Sequence, residues 1–252
     1  MCRHLAYLGP PAPLSRLLYD APHALVRQSW APRDMRGSGT VNADGFGVGW
    51  YPRPGEPPVR YRRDRPMWSD ADLPTLAART AAAGVLAAVR AATPGMPTGA
   101  AACAPFTDGA MLFSHNGRIT GWPDSVAGLA SRLPVTWLLT MEAATDSVLL
   151  WALVRRRLAD GEPAPSAVAA TVAEVERAAP GSRLNLLLTD SRTIVATTAG
   201  HSLSVRHDRD RVVVSSEPLD DDPAWRPVPD RHLVVADPTG VEITPLPEGG
   251  PP

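Results

Sequence analysis

The chain has 252 residues, a formal net charge of −1 and a hydrophobic content of 44%. This composition supports a packed core and argues against an intrinsically disordered chain. All 25 basic side chains are arginine, and their even scatter gives no basic patch for nucleic acid or an anionic membrane. The two cysteines, Cys2 and Cys103, are too few and too far apart for a disulfide scaffold or a cysteine zinc site.

The sequence contains no pattern typical of a signal peptide or a membrane-spanning helix. Prolines interrupt the first 19 residues, and the longest apolar runs, such as 149–154, are too short to cross a bilayer. The histidines show no metal-ligand spacing. We therefore expect a soluble, cytoplasmic protein without metal or cofactor that binds neither nucleic acid nor membrane. Its oligomeric state stays open.

The predicted elements of the first half are short and are separated by proline and glycine. In chain order they are a strand at 4–8, a helix around 14–18, a Gly-rich loop at 32–44, strands at 45–51 and 59–62, a helix at 74–83, and strands at 85–90 and 111–115. The last strand is followed by Asn116-Gly117, a dipeptide typical of tight turns, which predicts that the strand ends there.

The second half contains two longer helices and then a series of strands. Thr145 and Asp146 form a good helix start before 147–158, and a second helix is predicted at 166–179. The strands that follow are predicted at 184–188, 193–198, 202–205, 212–215, 233–236 and 241–244. Strands, then helices, then strands predict an α+β layered fold in one domain, over residues 2–246, with a flexible tail at 247–252.

Cys2 is the first candidate catalytic residue. Cysteine is small enough that removal of Met1 is expected, which would leave a thiol and a free α-amine on one residue. Because an α-amine titrates near neutral pH, it can accept the thiol proton without a separate histidine base. The alternative is an incidental cysteine at a frayed terminus. The apolar strand predicted at 4–8 favours a terminus held inside the fold.

The run His115-Asn116-Gly117 is a second candidate. An Asn amide and the following Gly N–H can donate two hydrogen bonds to one developing oxyanion. The alternative is an ordinary turn, with His115 as a buried core histidine.

Arg90 and Asp146 are candidates for binding the charged groups of an amino acid. Arg90 follows the apolar run 85–89 and precedes Thr93, and a guanidinium near a small hydroxyl suits a carboxylate. Asp146 suits an ammonium, although the helix dipole alone also favours an acid in the first turn. The glycines of 44–49 are spaced GxGxG and lead into a strand, so a dinucleotide-binding loop is excluded.

These features, in this order, resemble the class II glutamine amidotransferases, a branch of the Ntn-hydrolases. The resemblance extends over essentially the whole chain and rests also on the stretches 1–5, 42–50, 105–109, 183–185, 216–220 and 229–233. Within the family, it points to the branch that hydrolyses γ-glutamyl-hercynylcysteine sulfoxide in ergothioneine biosynthesis, releasing glutamate. The implied fold is a four-layer αββα sandwich with Cys2 at the head of a central strand.

The resemblance also implies a role for each candidate. Cys2 would be the nucleophile and its α-amine the base, while Asn116 and the Gly117 N–H would form the oxyanion hole. The implied substrate-binding residues are Arg90 for the α-carboxylate, Asp146 for the α-ammonium, Thr93 and His115. Many relatives carry a histidine after the Arg-x-x-Thr run, where this chain has Pro94.

The leaving portion of that substrate carries a trimethylammonium group, for which an aromatic wall is expected. The candidates for this wall are Trp30, Trp50, Trp68 and Trp225. Two other functions stay open: a stand-alone glutaminase that supplies ammonia to a partner synthase, and a non-catalytic γ-glutamyl-binding module.

Overall fold

Two antiparallel sheets stack face to face in the computed structural model, which describes residues 2–36 and 41–247. Within those residues the strands are β1 (Arg3–Pro13), β2 (Phe46–Trp50), β3 (Val59–Arg63), β4 (Ala81–Val89), β5 (Phe106–Asp108), β6 (Met111–Arg118), β7 (Arg183–Thr189), β8 (Ile194–Thr198), β9 (Ser204–Asp208), β10 (Arg211–Ser215), β11 (Arg226–Pro227), β12 (His232–Asp237) and β13 (Gly240–Pro245).

The strand order places β1 in the middle of the first sheet. That sheet runs β11-β9-β10-β1-β4-β2-β3, and the second runs β13-β12-β8-β7-β6-β5. β1 is antiparallel to both of its neighbours, β4 and β10, so the start of β1 lies beside the end of β4.

Helices cover the outer faces of both sheets. In the described part of the chain they are α1 (Leu25–Gln28), α2 (Leu73–Arg79), α3 (Ala127–Ala130), α4 (Val135–Leu139), α5 (Asp146–Ala159) and α6 (Ala164–Ala178), with a π-helical turn at Arg16–Asp20. None of these helices is both long enough and apolar enough to cross a membrane.

The side chains of β1 show how the layers are built. Leu5 and Tyr7 belong to the core between the first sheet and α1 and α2, whereas Ala6 and Leu8 belong to the core between the sheets. A third core joins the second sheet to α5 and α6. This alternation follows from the period of two in a strand that is buried on both faces. The predicted αββα sandwich and its α+β class are confirmed.

The turn predicted at Asn116-Gly117 is wrong. β6 continues through both residues to Arg118, with Asn116 opposite Asn185 and Gly117 opposite Leu184 on β7. Pairing with β7 outweighs the local preference of the Asn-Gly dipeptide for a turn.

The helix predicted at 74–83 is also too long. α2 ends at Arg79, and the alanines from Ala81 onward already pair in β4, with Ala81 opposite Pro13. Alanine favours helices, but here the neighbouring strand supplies the backbone hydrogen bonds. The tail predicted at 247–252 lies outside the described residues except for Pro247, and residues 37–40 of the predicted Gly-rich loop also lie outside them.

Candidate active site

Cys2 lies half-buried at the head of β1. Its sulfur is 3.8 Å from the carbonyl oxygen of Ala91, in the segment that follows β4. Arg3, the next residue, stands opposite Val89 at the end of β4. The first sheet therefore brings the thiol beside the segment that contains Arg90 and Thr93. Met1 lies outside the described residues.

Arg90 is held by its backbone and keeps part of its guanidinium unpaired. Its N–H donates to Gly45 O at 2.8 Å, and its carbonyl accepts from Asp44 N at 3.0 Å. The Asp44 carboxylate in turn accepts from Ala92 N at 2.8 Å. The Arg90 Nη2 donates to Pro97 O at 2.7 Å, whereas the buried Nη1 has no partner in residues 2–36 and 41–247. Nη1 is therefore available to a carboxylate.

Asn116 is fully buried on β6, and its amide is unsatisfied. Neither its Nδ2 nor its Oδ1 has a hydrogen-bond partner among the residues that the structure describes. Buried amides are almost always paired, so an unpaired buried Asn amide is the arrangement expected where a ligand oxygen is to be bound. Gly117 follows, and a Cβ at this position would overlap the Arg183 carbonyl, so only glycine fits the backbone here.

Asp146 is the first residue of α5 and is 7% exposed. Thr145 caps the helix by accepting from Val148 N at 3.3 Å. One Asp146 oxygen accepts from Ile119 N at 3.0 Å, and the other accepts from Ser147 N at 2.7 Å. These bonds fix the carboxylate next to the end of β6, and the oxygen bonded to Ile119 retains a lone pair for a further donor.

His115 points from β6 toward the start of α5. Its Nδ1 is 2.9 Å from Ser147 Oγ, and its Nε2 is 2.9 Å from the Arg183 carbonyl. Since a carbonyl only accepts, Nε2 carries the proton and Nδ1 accepts from the serine hydroxyl. Both ring nitrogens are therefore engaged. His115 lies at the site but holds neighbouring residues with its polar atoms, and its partner is Ser147, which no sequence motif indicates.

Two neighbouring cavities are lined by five of the seven predicted site residues. A small cavity of about 20 Å³ is lined by Cys2, Arg90, His115 and Ser147 among others, and it has room for one water-sized group. An open cavity of about 530 Å³ is lined by Thr93, by Asp146 and by the segment after β6. Asn116 and Gly117 line neither cavity. Because Asp146 and Ser147 are adjacent, the start of α5 borders both cavities.

The polar core beneath the site contains two histidines whose pKa values are lowered. Burial lowers the pKa of His4 to about 3, and the nearby His115, His201 and Arg3 add to this effect. Burial also lowers the pKa of His201 to about 3, and the charges of Arg183 and Arg3 lower it further. His4 Nδ1 is 3.1 Å from Ser114 Oγ. Both histidines are therefore uncharged near neutral pH.

Cys103 is buried, and its thiol is unreactive near neutral pH. Its side chain is 0% exposed, it packs against Gly45, and its sulfur is 3.4 Å from the Arg63 carbonyl. Burial raises the pKa of its thiol to about 11, so the thiolate is disfavoured near neutral pH. Among residues 2–36 and 41–247 no group of His, Cys, Asp and Glu side chains is arranged to hold a metal ion.

The tryptophans predicted as an aromatic wall lie in different places. Trp30 is 44% exposed, with the Arg27 guanidinium over its ring, and Trp68 is 43% exposed. Trp50 packs against the core under α1 and α2. Trp225 lines a separate cavity and donates to Asp220 at 2.7 Å.

Trp122, which is not among these four candidates, lines the open cavity together with Thr93 and Asp146. It follows β6 by only a few residues, and this closeness in sequence to Asn116 and Gly117 is the feature that indicates a place near the site.

Comparison with known proteins identifies the family of this chain. Residues 19–209 match the family model of class-II glutamine amidotransferases. The chain is 43% identical to a gamma-glutamyl-hercynylcysteine sulfoxide hydrolase of Mycolicibacterium smegmatis, over 98% of this chain and 100% of that protein. It is 39% identical to the hydrolase of the same name in Mycobacterium tuberculosis, over 98% of this chain and 97% of that protein.

Solved structures share the fold. A glutamine aminotransferase class-II domain protein from Silicibacter pomeroyi superposes with a TM-score of 0.68 at 23% identity, over 98% of this chain and 100% of that chain. The glutamine phosphoribosylpyrophosphate amidotransferase of B. subtilis superposes with a TM-score of 0.71 at 16% identity, over 98% of this chain and 49% of that chain. These proteins share the two stacked sheets with this chain, and the family match together with the relatives at 43% and 39% identity shows that the chain belongs to the class II glutamine amidotransferases.

Proposed function

We propose that this protein hydrolyses the γ-glutamyl amide bond of γ-glutamyl-hercynylcysteine sulfoxide, a step of ergothioneine biosynthesis that yields hercynylcysteine sulfoxide and glutamate. The observation that carries the proposal is the similarity, over 98% of the chain, to hydrolases named for this substrate. The thiol of Cys2 and the unpaired amide of Asn116 supply the chemistry that such a hydrolase needs.

Cys2 is the proposed nucleophile. Once Met1 is removed, the α-amine of Cys2 accepts the thiol proton, and the thiolate attacks the γ-carbonyl carbon of the substrate. The carbonyl oxygen becomes an oxyanion, which accepts hydrogen bonds from Asn116 Nδ2 and from the Gly117 N–H. The unpaired state of the Asn116 amide supports this role, because a donor without a partner among the described residues breaks no hydrogen bond when it binds the oxyanion.

The two charged groups of the glutamyl moiety are proposed to bind Arg90 and Asp146. The unpaired Arg90 Nη1 would donate to the α-carboxylate, with Thr93 nearby, and the fixed Asp146 carboxylate would accept from the α-ammonium. With both charged groups on its α-carbon held, the glutamyl group presents its γ-carbonyl to Cys2, and such positioning lowers the barrier by several kcal/mol. His115 would orient the start of α5 rather than bind the substrate through a ring nitrogen.

The reaction is completed in two steps. The protonated α-amine gives its proton to the leaving nitrogen, the C–N bond breaks, and a γ-glutamyl thioester forms on Cys2. A water molecule, deprotonated by the same amine, then attacks the thioester carbon, and glutamate and the free thiol are released. We also propose that the protein is cytoplasmic, that its binding partner is the small-molecule substrate, and that its domain spans residues 2–246.

A comparison of substrates tests the proposal. Purified protein is given γ-glutamyl-hercynylcysteine sulfoxide or free glutamine, and glutamate release is followed to obtain kcat/KM for each. The proposal expects the sulfoxide to have the higher kcat/KM. Preference for glutamine would favour a glutaminase, and tight binding of the sulfoxide without turnover by protein that lacks Met1 would favour a binding module. Either result would overturn the proposal.

A further inference from the structure

A buried ion pair lies directly behind Cys2. Arg3 and Glu217 are 1% and 2% exposed, and Arg3 Nε lies 2.9 Å from Glu217 Oε1. Arg3 follows the nucleophile in β1, whereas Glu217 comes just after β10, on the other side of β1 from β4. The pair therefore bridges the head of β1 and the segment that leaves its neighbouring strand.

The Arg3 guanidinium also binds the backbone of the nucleophile. Nη1 donates to the Cys2 carbonyl at 3.2 Å, and Nη2 donates to the Asp34 carbonyl at 2.7 Å. The second oxygen of Glu217 accepts from Arg33 N at 2.7 Å. One ion pair thus holds the carbonyl of Cys2 and the backbone of residues 33 and 34 in a fixed relation.

This geometry suits positioning better than it suits stability. Removing two charges from water costs about as much as their attraction returns, so a buried ion pair is weak evidence for stability. A guanidinium fork, in contrast, fixes directions, because its donors lie in one rigid plane. The carbonyl, amine and thiol of Cys2 share one Cα. A fixed carbonyl therefore limits the directions that the amine and thiol can take.

We propose that Glu217 is a positioning residue for the nucleophile and acts through Arg3. Glu217 holds the guanidinium in place, the guanidinium holds the Cys2 carbonyl, and the thiol and α-amine are thereby aimed at the substrate carbonyl. The inference rests on the proposed function only in taking Cys2 as the nucleophile.

Two substitutions test the inference from its two sides. Glu217→Gln removes the charge and one acceptor, while Arg3→Lys keeps a buried cation for Glu217 but removes the planar fork that reaches Cys2 and Asp34. The matched control is Glu162→Gln, which breaks a 2.9 Å ion pair with Arg157 at the far end of α5. Intact mass of each variant establishes removal of Met1, and thermal unfolding establishes that it is folded.

The expected result is a split between kcat and KM. Both variants lower kcat by about 100-fold with KM changed by less than about threefold, since a displacement of about 1 Å at a nucleophile has an effect of this size. The control retains wild-type kcat. Folded variants with wild-type kcat, or with a raised KM alone, would overturn the inference. If Glu217→Gln does not fold, the kinetics of Arg3→Lys test the inference instead.

A second readout separates this inference from the proposed substrate. The diazoketone glutamine analogue 6-diazo-5-oxo-L-norleucine alkylates a nucleophilic cysteine, and mass spectrometry follows labelling of Cys2 with time. The variants are expected to label about 100-fold more slowly than wild type. If wild-type protein labels but does not hydrolyse γ-glutamyl-hercynylcysteine sulfoxide, the proposed function fails and the labelling rates still test the inference. Equal labelling rates in wild type and variants would overturn it.

Discussion

The Asp146 carboxylate accepts a hydrogen bond of 3.0 Å from the backbone N–H of Ile119, and this bond ties the start of α5 to the end of β6. Ile119 lies two residues after Gly117. The segment that contains the proposed oxyanion hole therefore also fixes the carboxylate of the proposed ammonium site, and a movement of either would displace the other.

Replacement of Asp146 by Asn is expected to weaken substrate binding. The variant loses the charge that faces the α-ammonium, and a hydrogen bond to a charged group contributes about 1.5–3 kcal/mol. This corresponds to a fall in kcat/KM of about 10- to 100-fold, expressed mainly as a higher KM. Steady-state kinetics with the γ-glutamyl substrate measure it. An unchanged KM would show that the ammonium binds elsewhere.

Replacement of Asn116 by Ala is expected to remove activity without removing stability. The loss of one oxyanion donor lowers kcat by about 10²–10³-fold. The free energy of unfolding should change by less than about 1 kcal/mol, because the amide makes no hydrogen bond within residues 2–36 and 41–247 that the substitution could break. Steady-state kinetics and urea unfolding test the two parts.

Asn185 stands opposite Asn116 on β7 and is the matched control. Its Oδ1 accepts from Ala199 N at 2.9 Å and from His201 N at 3.1 Å, so Asn185→Ala leaves buried donors unpaired. It is expected to lower the free energy of unfolding by about 2 kcal/mol or more. If the two substitutions lowered the free energy of unfolding equally, the unpaired state of the Asn116 amide would be contradicted.

Replacement of Gly117 by Ala is expected to displace the backbone of β6 at the site. The new Cβ would overlap the Arg183 carbonyl and lie 2.6 Å from His115 Nε2, so β6 and β7 must separate locally. The cost is about 1–3 kcal/mol in stability, with a clear fall in kcat as well. Gly128→Ala in α3 is the control, since nothing lies within 4 Å of its new Cβ. Wild-type kcat in Gly117→Ala would contradict the close packing.

Acid is expected to destabilise the protein through His4 and His201. Both have a pKa of about 3 when folded, against an ordinary value of 6.5, so the unfolded chain binds more protons between these values. The free energy of unfolding therefore has its full value above about pH 6.5, and it falls as the pH is lowered toward 3. The slope approaches about 1.4 kcal/mol per pH unit for each histidine.

Urea unfolding at pH 7.5, 6.5 and 5.5 measures this effect in a range where carboxylates contribute little. His201→Gln should reduce the slope by about half, because one of two titrating groups is removed. A slope that is flat down to pH 5.5 in the wild-type protein would contradict the neutral, buried state of both histidines.

Local signals in the sequence predicted the parts of the site that local physics determines. Thr145 and Asp146 predict the start of α5 because a capping hydroxyl and a first-turn acid stabilise a helix end, and the helix begins at Asp146. The apolar run after Cys2 predicts a buried strand, and β1 is buried on both faces at Leu5 and Ala6.

Contacts between distant segments could not be predicted in this way. Asn116-Gly117 favours a turn locally, but pairing with β7 keeps it in a strand. Arg3 and Glu217 are 214 positions apart, and no local pattern indicates that they meet. Trp122 lines the open cavity only because β6 and the segment after β4 come together there. The family resemblance supplied candidate roles for single residues, but it did not supply these pairings.

The most direct measurement of the central claim is intact-mass analysis of protein mixed with γ-glutamyl-hercynylcysteine sulfoxide and quenched in acid. We expect a chain that lacks Met1 and carries one glutamyl group on Cys2, with glutamate accumulating over time, and we expect neither the glutamyl group nor glutamate release with Cys2→Ala. A chain that retains Met1, carries no glutamyl group and releases no glutamate would contradict the central claim.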